Sequence, residues 1–259
     1  TVKFFTLGCK ANQYDTQSMR ERFLSQGFCE AKASQRPDYF LINTCTVTSG
    51  ADQKSRNIIR RCIQSAPVAQ VIVTGCLAQK DASQLKKIKG ISLIVKKSFF
   101  PEGITTFSQH HRAFLKIQDG CSNFCTYCII PYTRGPLKSR KLDSILSEAE
   151  NLVESGFKEI VLTGIHLGAY GKDLADEIAL VDVVKALLDN EKLTRLRLGS
   201  LESIELDQEI LEIMNQDQRL CRQLHLPLQS GSDKILKKMN RNYTTGEFKA
   251  LVDNIYAKV

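Results

Sequence analysis

Cys121-Ser122-Asn123-Phe124-Cys125-Thr126-Tyr127-Cys128 follows the apolar run Phe114-Leu115-Lys116-Ile117. The three cysteines are spaced C-x3-C-x2-C. Three thiolates hold three irons of a four-iron cube, whereas a closed cluster takes four. The last iron then keeps an open position for another ligand. The competing reading is a zinc knuckle. Structural zinc pairs two C-x2-C or Cys/His arms to reach four ligands, and no second arm follows in the sequence. An apolar run ending in such a loop reads as a strand that delivers ligands at its carboxyl end, where βα loops build sites.

Outward from this loop the chain alternates strands and helices. Toward the N-terminus, strands are expected at Val2–Leu7, Asp38–Asn43 and Gln70–Thr74. Helices are expected at Asp15–Gln26, at Ala51–Ser65 and in a stretch running through Leu85. Met19 and Phe23 lie four apart, and Ile58, Ile59, Cys62 and Ile63 form an apolar helical face. Toward the C-terminus, strands are expected at Ala113–Gln118, Lys158–Thr163, Arg195–Leu198 and Gln223–Pro227. Helices are expected at Asp143–Glu154, Leu180–Leu188 and Leu206–Asn215, with a last one opening on the capping pattern Thr244-Thr245-Gly246-Glu247. Such alternation implies parallel sheets covered by helices. The expected fold class is α/β, an open parallel-sheet domain at 1–97 and a βα barrel at 112–259. The aperiodic stretch 98–111 reads as a linker.

Each of the three N-terminal strands leads into a cysteine: Leu7-Gly8-Cys9, Asn43-Thr44-Cys45 and Thr74-Gly75-Cys76. In an open parallel sheet the carboxyl ends of the strands share one edge, where ligands bind. Three thiolates there could hold a second cluster with an open iron. A single strand-end cysteine reads as a buried residue; three equivalent ends favour ligation. Cys29, Cys62 and Cys221 lack a partner pattern and read as structural.

Composition sets the class. The chain has 259 residues, is 42% hydrophobic and 25% charged, and carries a net charge of +8. No stretch approaches the roughly 20 apolar residues of a membrane helix, and the first residues do not read as a signal peptide. A cytoplasmic location is expected, so nine cysteines argue for metal rather than disulfides. Basic clusters at Lys54, Arg56, Arg60 and Arg61, at Lys86, Lys87 and Lys89, at Arg134, Lys138, Arg140 and Lys141, and at Lys234, Lys237, Lys238 and Arg241 suggest a polyanionic partner.

Together these residues resemble the methylthiotransferases of the radical S-adenosylmethionine (SAM) superfamily. The matching segments are Leu7–Gln13, Asn43–Val47, Thr74–Gln79, Cys121–Gly135, Leu162–Gly168, Leu198–Glu202 and His225–Gly231. Gly8-Cys9-Lys10, Ala113–Gly120 and Thr163–Gly168 are most similar to the branch that modifies N6-threonylcarbamoyladenosine at tRNA position 37. The resemblance implies two 4Fe-4S clusters and SAM. Cys9, Cys45 and Cys76 would hold the first cluster; Cys121, Cys125 and Cys128 would hold the one that cleaves SAM. Tyr127 would lie beside the adenine, with Thr163, Gly164, Ser200 and Gln229 as further SAM contacts. It also implies tRNA, an electron donor and a sulfur source as partners, and no membrane. The family barrel has six βα units, and about four are counted before Val259, so the last strands and a C-terminal tRNA-binding β-barrel are expected to be absent from this segment.

Two alternatives stand beside this reading. Within the family, the substrate could be N6-isopentenyladenosine in tRNA or a ribosomal protein. In a different class, the chain would be a basic nucleic-acid-binding module stabilised by structural metal. A brown reconstituted protein marks iron–sulfur; a colourless one marks zinc.

Overall fold

The structure, a computed structural model, describes residues 1–96, 103–107 and 110–259. It divides into two compact units, Thr1–Ile104 with Tyr132–Arg134, and Thr105–Pro131 with Gly135–Val259. Residues 98–102 and 108–109 of the expected linker lie outside the described residues.

The first unit runs β1 (Val2–Thr6), α1 (Lys10–Ser25), β2 (Tyr39–Thr44), α2 (Ser49–Ser65), β3 (Gln70–Gly75), α3 (Cys76–Lys80), α4 (Ala82–Lys86) and β4 (Leu93–Ile94). The strands form one parallel sheet in the order β1-β2-β3-β4. β2, Tyr-Phe-Leu-Ile-Asn-Thr, is nearly all apolar because a parallel strand is covered on both faces. Its side chains alternate between two cores. Phe40 and Ile42 pack with Ile59, Val71, Val73 and Leu77 on one face. Leu41 packs with Val2 and Met19, edged by Phe4, Phe23 and Phe28, on the other.

Two local expectations are corrected here and one strand is added. α1 begins at Lys10, not Asp15, because Gly8 is the last breaker and Cys9, in extended geometry, sits at the N-cap. Its inward face includes the polar residues Asn12, Thr16, Gln17 and Ser18, so an apolar period cannot reveal it. The helix expected through Leu85 is split at Asp81, which caps α4 through a bond from Gln84 N (3.4 Å). β4, two residues long, is too short to carry a pattern.

The second unit runs β5 (Ala113–Lys116), β6 (Gln118–Asp119), α5 (Ile130–Arg134, ending in residues grouped with the first unit), β7 (Lys138–Ser139), α6 (Leu142–Glu154), β8 (Glu159–Thr163), α7 (Leu180–Leu188), β9 (Arg195–Leu198), α8 (Gln208–Gln216), α9 (Asp233–Lys238) and α10 (Thr245–Lys258). β5, β8 and β9 are parallel in that order, and β6 pairs antiparallel with β7. The strand expected at Gln223–Pro227 does not form a ladder. The chain there makes only the isolated bridges Leu196↔Leu220 and Ser200↔His225; Gln223 and His225 are exposed, and Pro227 has no N–H to donate. Residues 105–107 belong to the body of this unit rather than to a free linker: Phe107 is buried and packs edge-on against Phe114 at 5.0 Å, and Ser155 Oγ donates to Thr105 O at 2.8 Å.

Candidate functional site: two cysteine triads

In the first unit the register sets Thr6 beside Asn43 and Asn43 beside Thr74. The three strands therefore end level, and Cys9, Cys45 and Cys76 leave from the same edge. Gly75 has φ +92, and a Cβ there would lie 2.4 Å from Thr44 O, so only glycine fits before Cys76. A Cβ on Gly8 would lie 3.0 Å from Cys45 Sγ, which puts the turn before Cys9 directly against Cys45. Ser55 of α2 pins Cys45, accepting from its N–H (3.2 Å) and donating to its C=O (2.9 Å). Asn12 ties two strand ends, donating to Leu7 O (2.7 Å) and Thr44 O (3.1 Å).

Arg134, whose side chain is 1% exposed, bonds the Asn12 side chain and Asp15. Burial opposes its charge, but Asp15 and the sulfurs of Cys76 and Cys9 outweigh burial and raise its pKa. That balance registers both cysteines beside one guanidinium. Cys45 and Cys76 are buried and Cys9 is exposed.

In the second unit the cysteine loop leaves β6 through Gly120, where φ is +69 and a Cβ would meet Pro136 O at 1.9 Å. Gln118, 1% exposed, clamps two loops. Its Nε2 donates to Asp119 O (2.6 Å) and Gly120 O (2.7 Å). Its Oε1 accepts from the N–H of Ile165 (2.9 Å) and His166 (2.8 Å). The end of β8, with Thr163 and Gly164, is thereby fixed beside the start of the cysteine loop.

Two buried side chains, His166 and Arg241, reach the sulfurs. His166 Nδ1 lies 3.6 Å from Cys121 Sγ, and its Nε2 lies 2.6 Å from Glu205, which also pairs with Lys172 at 2.8 Å. Burial works against protonation of His166, but Cys121 and Glu205 raise its pKa to about 9. Arg241 Nη1 donates to Cys125 Sγ at 3.4 Å. Burial pushes the Cys128 thiol up, and the Cys125 and Cys121 sulfurs add to that shift. Among the described residues no three His, Cys, Asp or Glu side chains converge tightly enough to hold a single metal ion. The donor chemistry, cysteine sulfurs beside a buried arginine in each unit, Arg134 near Cys9 and Cys76 and Arg241 on Cys125, fits an anionic cluster rather than a single ion.

The remaining sequence-derived residues are less gathered. Tyr127 is half-exposed on the cysteine loop and Thr163 is buried. Ser200 is exposed, its Oγ 2.6 Å from His225 Nδ1. Gln229 is exposed with φ +67. Among the described residues no hydrogen bond joins Ser200 or Gln229 to the cysteine loop. A cavity of about 520 Å³ lined by α6 and α7, at Leu146 and Leu187 among others, touches none of these residues. Cys62 is buried in the sheet core, but Cys29 is exposed rather than structural in the packing sense. Sequence reasoning missed Gln118, Glu205 and the roles of His166, Arg134 and Arg241. The two arginines fall in runs that read as polyanion-binding surface. A single Arg in a basic run carries no sign of being buried.

Residues 115–258 match the Radical SAM superfamily, and residues 1–96 match a family described as uncharacterized protein family UPF0004. The chain is 38% identical to the threonylcarbamoyladenosine tRNA methylthiotransferase MtaB of Bacillus subtilis, over 94% of this chain and 61% of that protein. It is 34% identical to the protein of the same name from Aquifex aeolicus, over 98% and 69% respectively. It is 31% identical to the tRNA-2-methylthio-N(6)-dimethylallyladenosine synthase of Thermotoga petrophila, over 98% and 64%. The chain thus spans about two thirds of the length of these relatives. Among solved structures, the radical SAM methyltransferase TsrM of Kitasatospora setae, with cobalamin and a [4Fe-4S] cluster bound, shares the fold with a TM-score of 0.60 at 14% identity, over 99% of this chain and 65% of that one.

Proposed function

The chain belongs to the methylthiotransferase family of the radical SAM superfamily, and we propose that it serves to place a methylthio group on carbon 2 of N6-threonylcarbamoyladenosine at tRNA position 37. Membership implies SAM and a 4Fe-4S cluster; when bound, they supply hydrogen abstraction from an unactivated carbon and the methyl group. The observation that carries the proposal is the pair of triads, each of three cysteines, one at the carboxyl ends of the first sheet and one on the β6 loop. Two open sites in one chain match a reaction with two tasks, one activating the substrate and one delivering sulfur.

In this reading Cys121, Cys125 and Cys128 hold the SAM-cleaving cluster, and Cys9, Cys45 and Cys76 hold the second. Tyr127, Thr163, Gly164, Ser200 and Gln229 contact SAM. Gln118 keeps the β8 end and the cysteine loop in register, so cofactor and ligand move as one unit. The exposed lysines contact tRNA phosphates, and an electron donor and a sulfur source complete the reaction in the cytoplasm. No described helix is long and apolar enough to cross a membrane.

A second reading, modification of the isopentenyl (dimethylallyl) adenosine, is favoured by the relatives of that name at 31–34% identity. Mass spectrometry of position-37 nucleosides from a strain lacking the full-length protein separates the two. The proposal expects the methylthio form of threonylcarbamoyladenosine to vanish and its precursor to accumulate. Loss of the methylthio isopentenyl form supports the second reading, and an unchanged nucleoside pattern overturns both.

A further inference from the structure

Arg241 follows α9 and its side chain is 5% exposed. Every strong contact it makes points at the cysteine loop or at a group that orients it. Nη1 donates to Cys125 Sγ (3.4 Å) and to Glu202 Oε1 (3.1 Å). Nη2 bonds the other oxygen of Glu202 and donates to Tyr243 OH at 3.3 Å. Tyr243 in turn donates to Leu228 O (2.9 Å) and lies 3.1 Å from Pro227 O. The backbone repeats the connection. Thr126 donates through N to Met239 O (3.2 Å) and through Oγ1 to Lys238 O (3.0 Å), and Asn240 Nδ2 donates to Phe124 O (3.1 Å). The segment 238–243 is therefore the floor under the loop that carries Cys125.

We propose that Arg241 is a positioning residue that donates an N–H to the Cys125 thiolate and, held by Glu202, sets the reduction potential of the cluster on Cys121, Cys125 and Cys128. The inference rests on the reading that those cysteines hold a 4Fe-4S cluster. One-electron uptake adds negative charge to the cluster and its sulfurs. An N–H aimed at a ligating sulfur stabilises the more negative state and raises the potential. The Glu202 carboxylate largely cancels the long-range field of the guanidinium, so the directed hydrogen bond carries the effect. Only a planar fork can grip both carboxylate oxygens and the sulfur at once, which is why lysine is an incomplete substitute. The Nε–H of Arg241 is buried and without a hydrogen-bond partner among the described residues.

The test is a dithionite redox titration of the reconstituted chain followed by electron paramagnetic resonance. The Cys121/Cys125/Cys128→Ala variant identifies which component belongs to this site. Arg241→Met is expected to keep its iron and to shift that component to more negative potential, with Arg241→Lys falling between. Glu202→Gln, which unmasks the cation, is expected to shift it the opposite way. A structural role alone would not give opposite signs. Iron-replete Arg241→Met with the wild-type potential overturns the proposal. If Arg241→Met loses iron, Arg241→Lys decides: an intermediate potential supports the proposal, and a wild-type potential or loss of iron with the fold intact by circular dichroism overturns it. Wild-type protein that takes up no cluster on these three cysteines defeats the underlying function instead.

Discussion

The first unit gathers Cys9, Cys45 and Cys76 from three neighbouring strands, with 35 and 30 residues between successive cysteines, whereas the second unit carries Cys121, Cys125 and Cys128 within one loop of eight residues. The two arrangements reach the same donor set by different physics. In the first, the parallel register does the gathering: Thr6, Asn43 and Thr74 lie side by side, and two of the cysteines are buried. In the second, a glycine turn at Gly120 starts the loop, and the buried side chains of Gln118, His166 and Arg241 hold it from outside. A sheet edge is a stiff scaffold whose geometry survives loss of one ligand. A loop held by hydrogen bonds depends on each of its clamps.

The widest break in the comparison comes from deleting each triad in the full-length protein. Replacing Cys121, Cys125 and Cys128 by alanine is expected to abolish both reductive SAM cleavage and the methylthio product. Replacing Cys9, Cys45 and Cys76 is expected to keep 5'-deoxyadenosine formation and to lose only the methylthio product. Anaerobic reconstitution of the unchanged protein is expected to give about eight iron per chain, and about half of that in either triple variant. Methylthio product from the variant without Cys9, Cys45 and Cys76 would mean that sulfur arrives by another route, and a wild-type value near four iron would remove one of the two sites.

Cations are used in two ways, exposed and buried, which sharpens the comparison at smaller scale. Arg60 and Arg61 of α2 are exposed, while Arg140 of the second unit is 5% exposed, paired with Glu148 at 2.5 Å and bonded to Lys116 O at 2.9 Å. Arg140→Met takes the guanidinium away from the buried Glu148 carboxylate and is expected to cost about 3–5 kcal/mol in denaturant unfolding. Arg60→Ala with Arg61→Ala is expected to leave stability nearly unchanged and to flatten the dependence of tRNA affinity on salt, by about one in log–log slope for each phosphate no longer neutralised. If salt leaves binding flat in the unchanged protein, the basic surface has no electrostatic part in holding tRNA.

The same contrast explains what the amino-acid sequence revealed. The second triad is legible because its spacing is local. The first is legible only because all three strands can be placed and each ends in cysteine. Apolar runs such as Tyr39–Ile42 and Leu180–Leu188 announce their elements. α1 extends beyond its apolar pattern because its buried face carries Asn12, Thr16 and Gln17. The stretch expected as a strand at Gln223–Pro227 meets a neighbour at one point, the Ser200↔His225 bridge, but composition records β-preference and not whether a full ladder forms, and Pro227 has no N–H to extend it. Charge is the least legible property. Arg134, Arg140 and Arg241 each sit in a basic run, and only the fold reveals that each is buried against an acidic partner. Glu202 and Glu205 flank one short turn and orient Arg241 and His166 respectively; their spacing resembles that of any exposed acidic pair.

The smallest expected effect concerns two buried cysteines of the first unit. Cys45 and Cys62 are 7% and 2% exposed. By burial alone they are equivalent, and a sulfur count could not separate them. Their surroundings differ. Cys45 lies against the Gly8 turn at the strand edge, with its backbone held by Ser55. Cys62 sits within the apolar core beside Ile59, where burial pushes its thiol up to about 11. The core cluster around it holds no second cysteine among the described residues, and one thiol alone does not make a cluster site. Cys62→Ala therefore removes only packing and is expected to lower stability by about 1 kcal/mol, the scale of a small core cavity, with iron content unchanged. Cys45→Ala is expected to lower iron content at the first site while changing stability no more than Cys62→Ala does. Iron per chain and chemical denaturation of the two variants, measured side by side, check both halves. Iron loss in Cys62→Ala with full iron in Cys45→Ala would show that position at the sheet edge does not select the ligands.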